Sequence, residues 1–482
     1  TISGIQAIPV EVEVDVSSRG LPGITIVGLP TQVVQESKER VRTAIRNAGF
    51  SFRAKKVTIN LAPAGIHKHG PAFDLPIALA LLHAYRCIPP APSHKILYYG
   101  ELSLDGTVKP TRGTFAVGLM AQQKGFAMMA SALHAESLSA IPTLKVIPIH
   151  SLQSLTYKIS ESQAAVQLHP PRESFPFTYY GQEATLRGLV VAASGQHHLI
   201  SSGSPGTGKT MLQEAYRQLV PPLSQDHLLE TSAIYSAAGI PLPHHLMYYP
   251  PFQSGQHTHS ASVLFGGGRQ HMLGLATLSH RGVFVLDELP RFQKSHLTTI
   301  QTLLESRIIT SIDNDQPYTL PAHFSLFATM NPCPCGKVIG CICTASTKHR
   351  YVSAIPEPLL DRIDLFTTTN SFVSTDTQQT QIDLKSLARQ VENATHLQRE
   401  RYKKSPLTSN GDLQSKDIQE FCTLTPQARK LLEKYTETFQ LSARRYIILH
   451  RVARTIADLD EKNTIDESHV AETIQYCVKE KL

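Results

Sequence analysis

The sequence lacks any apolar run long enough to cross a lipid bilayer, which takes about 20 residues. Its longest apolar run, residues 75–82, is much shorter and is interrupted by Pro76. It also has no basic segment followed by an apolar one at its start, so we expect no secretory signal and no membrane partner. Seven cysteines among 482 residues are too few for a disulfide scaffold. These absences predict a cytoplasmic protein.

Neither sign of charge dominates the sequence. Lysine and arginine number 46 and aspartate and glutamate 39, and the resulting net charge of +7 permits polyanion binding without demonstrating it. Hydrophobic residues make up 41% and charged residues 18%, which excludes disordered and fibrous classes. A chain of this length is expected to fold into about three domains.

Polar and proline-containing stretches divide the chain. Residues 1–155 alternate strand-like and helix-like patterns, and residues 156–178, with several prolines, are predicted to be a linker. A second domain is expected over residues 179–370. A second polar linker at residues 371–381 precedes residues 384–482, whose helical periodicity predicts a bundle of helices.

Local patterns predict several elements of these domains. Residues 10–16 alternate valine with acidic residues, which is typical of a half-buried strand. Residues 33–48 have helical periodicity and stop before Gly49. Further strands are predicted at residues 24–27, 57–61, 199–202, 283–286 and 324–330, and further helices at residues 76–85, 183–193 and 211–220.

One segment between a predicted strand and a predicted helix matches the phosphate-loop pattern G-x4-G-K-[ST] in full. Its residues are Gly203, Ser204, Pro205, Gly206, Thr207, Gly208, Lys209 and Thr210. The glycines let backbone N–H groups surround phosphate oxygens, while Lys209 is expected to neutralise the β- and γ-phosphates and Thr210 to ligate Mg²⁺. The pattern predicts a nucleoside triphosphate site, and the alternative is an incidental glycine-rich turn.

Two acidic residues, Asp287 and Glu288, follow the apolar strand predicted at residues 283–286. At the end of a strand beside the phosphate loop, Asp287 is expected to hold Mg²⁺ and Glu288 to polarise the attacking water. A plain surface pair is the alternative. Asn331 follows another predicted strand and could orient the water or sense the γ-phosphate, or be an ordinary turn residue before Pro332.

Four motifs, in the order GSPGTGKT, VFVLDELP, FATMNPCPCG and LLDRIDL, resemble those of AAA+ ATPases of the magnesium-chelatase type. Within that group the sequence is similar to the ComM/YifB family, and residues 25–61 and 441–459 are similar to its N- and C-terminal domains. The resemblance implies an α/β fold with an AAA+ P-loop core, a C-terminal helical lid of the magnesium-chelatase type and an N-terminal α+β domain like that of Lon protease.

The resemblance also implies roles for three residues. Arg362 in LLDRIDL matches the arginine finger that reaches the γ-phosphate of the neighbouring subunit, Arg444 matches the sensor-2 arginine of the lid, and Asn331 matches sensor 1. It implies ATP and Mg²⁺ as cofactors and a homo-oligomeric ring, commonly a hexamer. Without the resemblance, each arginine is better interpreted as part of a surface salt bridge.

Two segments resemble elements that project into the ring pore in this group. Residues 252–274 resemble the helix-2 insertion, and residues 307–321 resemble the hairpin before sensor 1. In related ring translocases such elements hold DNA. The tip at residues 313–315 carries two aspartates, which argues against phosphate contacts there. The candidate substitutes are His257, His259, Arg269 and His271.

The N-terminal segment resembles the Lon protease domain at residues 68–72 and 100–106. The residues at the positions of the Lon serine nucleophile and lysine base are Ala72 and Phe115. Neither side chain can attack a carbonyl or accept a proton. We therefore expect no peptidase activity from this domain, and instead a role in ring assembly or in partner and DNA contacts.

Four of the seven cysteines form the pattern C-x-C-x5-C-x-C. They are Cys333, Cys335, Cys341 and Cys343. Four thiolates so close in sequence suit one tetrahedral Zn²⁺ ion, which predicts a zinc knuckle over residues 333–343. Four reduced thiols in an exposed loop are the alternative.

The resemblance implies a DNA helicase or translocase that drives branch migration in natural transformation or homologous recombination, with single-stranded or branched DNA as its partner. Basic residues at 392–404 could line a DNA path or form a solvated helix face. Two alternatives stay open. One is an ATPase subunit for metal insertion into a porphyrin, against which the Lon-like domain argues, and the other is an ATP-gated scaffold or chaperone-like module without motor activity.

Overall fold

The computed structural model describes residues 1–51, 55–89, 95–156, 179–180, 182–242, 246–267, 272–313, 316–337, 340–369 and 381–477. Nearly all of both predicted linkers, together with Arg269 and His271, lies outside the described residues. The chain divides into two compact units. The first takes in residues 1–171, 224–248 and 313–318, and the second takes in residues 172–223, 249–312 and 319–482.

The helices and strands follow one another in three groups. The N-terminal group is β1 (Ile2–Ser3), β2 (Gln6–Ala7), β3 (Glu11–Ser17), β4 (Gly23–Val27), α1 (Gln32–Asn47), β5 (Lys56–Ala62), α2 (Asp74–Ala84), β6 (Ile96–Tyr99), β7 (Glu101–Leu102), β8 (Val108–Lys109), α3 (Thr114–Gln123), β9 (Ala127–Ser131), α4 (Ala135–Ser139) and β10 (Val146–Ile149). The central group is β11 (Tyr179–Tyr180), α5 (Glu183–Gly195), β12 (Leu199–Gly203), α6 (Lys209–Leu219), α7 (Gln225–Ala238), β13 (Phe252–Gly255), α8 (Ala261–Phe265), β14 (Gly266–Gly267), β15 (Met272–Leu273), α9 (Leu275–Leu278), β16 (Val283–Leu286), α10 (Lys294–Ser306), β17 (Ile308–Asp313), β18 (Gln316–Pro321), β19 (Ser325–Met330), α11 (Ala345–Val352), α12 (Glu357–Leu360) and β20 (Leu365–Thr369). The C-terminal group is β21 (Gln381–Ile382), α13 (Leu384–Arg401), α14 (Ser415–Phe421), α15 (Pro426–Thr438), α16 (Ala443–Leu459) and α17 (Glu467–Cys477).

Two three-stranded sheets organise the first unit. In one, β5 lies between β3 and β4, antiparallel to β3 and parallel to β4. In the other, β9 lies between β6 and β10 and is parallel to both. The valines of β3 alternate with acidic residues, so Val12, Val14 and Val16 all pack against the apolar core that α1 and α2 complete. The strand and helix predicted here are confirmed.

Helix α7 belongs to the first unit although α6 and β13, its neighbours in sequence, belong to the second. It packs against α3. The backbone N–H groups of Gly113 and Phe115 donate to the carbonyl and hydroxyl oxygens of Ser236, at 2.8 and 3.1 Å, and Arg112 Nε donates to the carbonyl of Ala237. The first unit is therefore assembled from separate segments of the chain, which no local sequence pattern predicts.

A parallel five-stranded sheet with the order β13-β16-β19-β12-β20 forms the base of the second unit. Successive side chains of a strand point to opposite faces. Leu199, Val285 and Phe327 face a core shared with α5, α6 and the C-terminal helices, whereas Ile200 and Phe284 face a core shared with α10 and α12. The predicted α/β core with C-terminal helices is confirmed.

The segment predicted to be a pore insertion, residues 252–274, begins with a strand of the five-stranded sheet. Phe252–Gly255 form β13, the edge strand that pairs in parallel with β16. The segment from Ala261 onward forms the short α8 and the two-stranded sheet of β14 and β15. The expectation was wrong for β13 because Phe-Gln-Ser-Gly has too few apolar residues to indicate a strand, and pairing with β16 makes it one. The hairpin predicted at residues 307–321 is confirmed by the pairing of β17 with β18.

The C-terminal helices enclose a buried charged group. Asp458 on α16 accepts hydrogen bonds from Arg401 at 2.9 Å, Arg454 at 3.1 Å and Asn410 at 2.8 Å, and its side chain is fully buried. A buried carboxylate is stable only when paired and hydrogen-bonded in this way. Among the described residues, no helix is both long and apolar enough to cross a bilayer.

Replacing Asp458 with alanine should lower the free energy of unfolding by about 3–5 kcal/mol, because two guanidinium groups would lose their buried partner. Urea denaturation followed by circular dichroism measures the change. The matched control is Glu400→Ala on α13, whose ion pair with Lys403 is exposed at both ends and should be dispensable. Equal effects of the two substitutions would contradict the assignment.

Candidate functional site

The predicted phosphate loop connects the end of β12 to the start of α6. Gly206 and Gly208 have φ angles of 80° and 84°, in the region that favours glycine. Gly203 is needed for space, because a Cβ atom there would lie 1.7 Å from Thr369 Oγ1 on β20. Thr207 Oγ1 donates to the carbonyl of Ser204 at 2.8 Å, which closes the loop. The loop thus lies at the N-terminus of α6, where backbone N–H groups are open to an anion.

Lys209 and Asn331 meet beside this loop. The ammonium group of Lys209 donates to the carbonyl of Gly203 at 2.6 Å and to Asn331 Oδ1 at 2.5 Å. Burial lowers the pKa of Lys209, while the charges of Asp287 and Glu288 act in the opposite direction. The structure therefore brings the predicted phosphate-binding lysine and the predicted sensor together.

The two predicted acidic residues follow β16 but have different partners. Asp287 Oδ1 accepts a short hydrogen bond from the Thr329 hydroxyl on β19. Glu288 has a left-handed backbone with φ of 57°, and its carboxylate lies 2.9 Å from Arg291 and 3.8 Å from His257. The exposed Asp287 can ligate a metal ion, whereas the carboxylate of Glu288 is paired with the guanidinium group of Arg291.

Strand direction accounts for the convergence of these groups. The phosphate loop, Asp287 and Asn331 follow the carboxyl ends of β12, β16 and β19, which are adjacent parallel strands. Carboxyl ends of parallel strands share one edge of the sheet.

Thr329 and Arg291 were not predicted as site residues. Arg291 has a sequence signal, since it lies three residues after Glu288, whereas Thr329 reads as an ordinary strand residue.

Arg362 lies at the amino ends of the parallel strands, whereas the phosphate loop lies at their carboxyl ends. It precedes β20, whose first residue pairs with Leu199 and whose last pairs with Gly203 of β12. The first and last residues of β20 are four residues apart, which corresponds to about 13 Å at about 3.3 Å per residue. Arg362 and the phosphate loop therefore lie at opposite ends of this strand pair. Among the described residues no hydrogen bond or ion pair joins Arg362 or Arg444 to the phosphate loop.

One carboxylate holds both predicted arginines. Arg362 and Arg444 each donate through Nη2 to Glu305 Oε1 at the end of α10. Burial acts to raise the pKa of Glu305, but the hydrogen bonds and charges of Arg444 and Arg362 hold it below its ordinary value. These groups line an open cleft of about 450 Å³ that also contains Arg307 and Arg451. No sequence signal had singled out Glu305.

The four clustered cysteines converge in space. Cys333 Sγ lies 3.3 Å from Cys335 Sγ and 3.6 Å from Cys341 Sγ, and all four sulfur atoms lie within 4.8 Å of one another. Cys343 completes the group. Burial raises the pKa of Cys333 to about 12, whereas a backbone hydrogen bond from Lys337 is the main cause that lowers the pKa of Cys335 to about 6. Four sulfur atoms at this spacing fit one tetrahedral metal ion.

Other predicted residues have different surroundings. Ala72 and Phe115, at the positions predicted to match the Lon catalytic residues, are buried apolar side chains. His257 lies beside Glu288, and His259 Nδ1 accepts the backbone N–H of Gln256 at 3.2 Å. Of the predicted acidic tip, residues 314–315 lie outside the described residues.

Comparisons with known proteins extend over nearly the whole chain. Residues 178–377 match the family model described as magnesium chelatase, subunit ChlI, residues 12–132 match subunit ChlI of Mg-chelatase, and residues 383–477 match the ChlI C-terminal model. The chain is 34% identical to protein YifB of Escherichia coli, with 99% of this chain and 96% of that protein covered. It is 33% identical to competence protein ComM of Haemophilus influenzae, with 98% and 95% covered.

Thr329→Val should weaken the Mg²⁺-dependent part of nucleotide binding by about 10- to 100-fold, because Asp287 loses the hydroxyl that orients it. The measurement is a Mg²⁺ titration of the binding of a fluorescent ATP analogue. Thr329→Ser keeps the hydroxyl and should bind as the unchanged protein does. An identical Mg²⁺ dependence in the valine variant would remove Thr329 from this role.

Proposed function

The chain belongs to the ComM/YifB family of magnesium-chelatase-type AAA+ proteins, and on that premise we propose that it is a ring-forming ATPase that moves DNA strands. The family suggests ATPase activity and implies ATP and Mg²⁺ as cofactors. In detail, we propose a helicase that drives branch migration in natural transformation or homologous recombination. The name of the Haemophilus relative, a competence protein, supports a task on incoming DNA.

The observation that carries the proposal is the separation of the nucleotide-binding groups from the two arginines. Lys209, Asp287 and Asn331 lie at the carboxyl edge of the sheet, whereas Arg362 and Arg444 meet at Glu305 on the other side of it. In the part of the chain that the structure describes, neither of these two arginines contacts the phosphate loop of its own subunit. In a ring, such as a hexamer, the cleft with Arg362 would complete the site of the adjoining subunit, where a cation stabilises the transferred charge.

The residues at the carboxyl edge divide the chemistry between them. The phosphate loop and Lys209 bind the triphosphate, and the Thr210 hydroxyl and Asp287 would hold Mg²⁺, which draws negative charge from the phosphoryl oxygens. Glu288 polarises the attacking water, for which it has to exchange its contact with Arg291 for one with water. Asn331 reports the state of the γ-phosphate through its contact with Lys209.

Movement follows from the same contacts. A γ-phosphate that engages Arg362 or Arg444 of the adjoining subunit has to compete with Glu305 for the guanidinium group. Helix α10 carries Glu305 and leads into the hairpin of β17 and β18. Hydrolysis would therefore change the position of the segment that resembles a pore hairpin, and DNA is the proposed load.

Metal insertion into a porphyrin is the second candidate, because the three matching family models are all named for magnesium chelatase. An ATP-gated scaffold without motor activity is the third. These candidates differ in what ATP hydrolysis drives, so one set of assays separates them.

The purified protein should move a synthetic three-strand DNA junction when ATP is present. Lys209→Ala should lose nucleotide binding, whereas Glu288→Gln and Arg362→Ala should bind ATP and lose turnover, so none of the three should move the junction. Strand displacement on native gels and phosphate release are the measurements. ATP turnover that DNA does not stimulate, without any strand displacement, would favour the scaffold. Metal incorporation into protoporphyrin with partner subunits would favour the chelatase.

We further propose that the cysteine cluster binds Zn²⁺. Zinc–sulfur bonds of about 2.3 Å in a tetrahedron place sulfur atoms about 3.8 Å apart, which is close to the separations of Cys333, Cys335 and Cys341. The cluster follows Asn331 by two residues, so a bound ion would fix the loop next to the sensor.

Purified protein should contain about one zinc ion per chain, because four thiolates complete a tetrahedral shell. Inductively coupled plasma mass spectrometry measures it. Replacing Cys341 and Cys343 with serine should remove the metal, whereas the control Cys87→Ser should keep it, since Cys87 lies in the N-terminal unit. Metal-free unchanged protein, or a metal-loaded double variant, would contradict the zinc site.

A further inference from the structure

A groove in the first unit is lined on one side by cations of helix α1. Lys38, Arg42 and Arg46 are spaced four residues apart, so they lie along one face of that helix. Lys55, next to β5, and the ring of Tyr85 line it as well, and the groove has a volume of about 540 Å³. Each step along α1 advances about 6 Å, which is of the same order as the separation of successive phosphates in an extended strand.

The α1 cations of the groove have no ion-pair partner among the described side chains. Among the described residues, Lys38, Arg42 and Arg46 form no side-chain hydrogen bond or ion pair. Their neighbour Arg40 differs, because it is bound to the buried Asp74 at 2.9 Å. Glu39 is the single carboxylate of the lining. The described lining therefore has four cations against one carboxylate, and this net positive charge attracts a polyanion.

Two aromatic rings accompany the cations. Phe50 and Tyr85 are half-buried in the lining, and the Lys55 ammonium group lies 5.8 Å from the centre of the Tyr85 ring. A positive groove with aromatic rings is the arrangement that binds single-stranded nucleic acids, because the cations contact phosphates and the rings stack on bases. An acidic peptide would contact the cations but would bring no base to stack on the rings.

We infer that this groove, formed by Lys38, Arg42, Arg46, Lys55, Phe50 and Tyr85, binds single-stranded DNA. The inference rests on the proposed function and gives it a second DNA contact, in the unit that lacks the phosphate loop. It assigns a ligand to a domain whose Lon-like catalytic positions are filled by Ala72 and Phe115.

The test is fluorescence anisotropy of a labelled oligothymidylate with the full-length protein, without nucleotide, over a range of salt concentrations. The double variant Arg42→Glu/Arg46→Glu should bind at least tenfold more weakly. The slope of log K against log salt should be less negative by about 1.4, because each lost phosphate contact to a single strand contributes about 0.7 to that slope. The matched control is Arg19→Glu/Lys124→Glu, two exposed cations of the same unit outside the groove, which should bind as the unchanged protein does.

Tyr85 tests the stacking part of the inference. Tyr85→Leu should weaken binding about 5- to 150-fold, the range for loss of one stacked base, without changing the salt slope. Tyr85→Phe keeps the ring and should restore binding. Circular dichroism melting of each variant verifies that the unit is folded.

Three results would overturn the inference, and they differ in their meaning. If the groove variants bind DNA as tightly as the control, DNA binds elsewhere and the proposed motor survives without this site. If the unchanged protein binds no DNA at any salt concentration, the proposed function fails together with the groove. If polyglutamate competes as well as oligothymidylate and Tyr85→Leu has no effect, the groove is a general anion site.

Discussion

Parallel pairing of five strands is the constraint on which the candidate site depends. It gathers the groups that follow β12, β16 and β19 at one edge of the sheet and places Arg362, which precedes β20, at the other. The groups predicted to bind nucleotide and the predicted arginine finger are thus kept apart within one subunit. Under the proposed function a second copy would complete the site, and strand direction would then link assembly to hydrolysis.

Much of this arrangement could be predicted from the sequence because it is encoded locally. Strands such as β16 are apolar throughout, helices such as α1 have clear periodicity, and the phosphate loop is set by glycines with required backbone angles. The order of the motifs then indicated the fold class. The roles of Asp287, Glu288 and Arg362 remain predictions that the geometry permits.

What the sequence did not predict depends on partners distant in the chain. β13 is a strand because it pairs with β16. Thr329 is a candidate site residue because Asp287 follows the adjacent strand, and Glu305 is one because two arginines from different segments reach it. Each of these residues looks ordinary in its own segment. Their contacts are formed only in the folded chain, so a single sequence does not reveal them.

Helix α7 has a consequence for how this protein can be divided. Its side with Leu228, Ile234 and Tyr235 is buried in the first unit, yet the helix is encoded between two elements of the ATPase core. A shortened chain that begins at the core would carry α7 without α3 and leave an apolar face in water, inviting self-association. The first unit is therefore not a separable N-terminal module, because dividing the chain near residue 171 would part α7 from the rest of that unit.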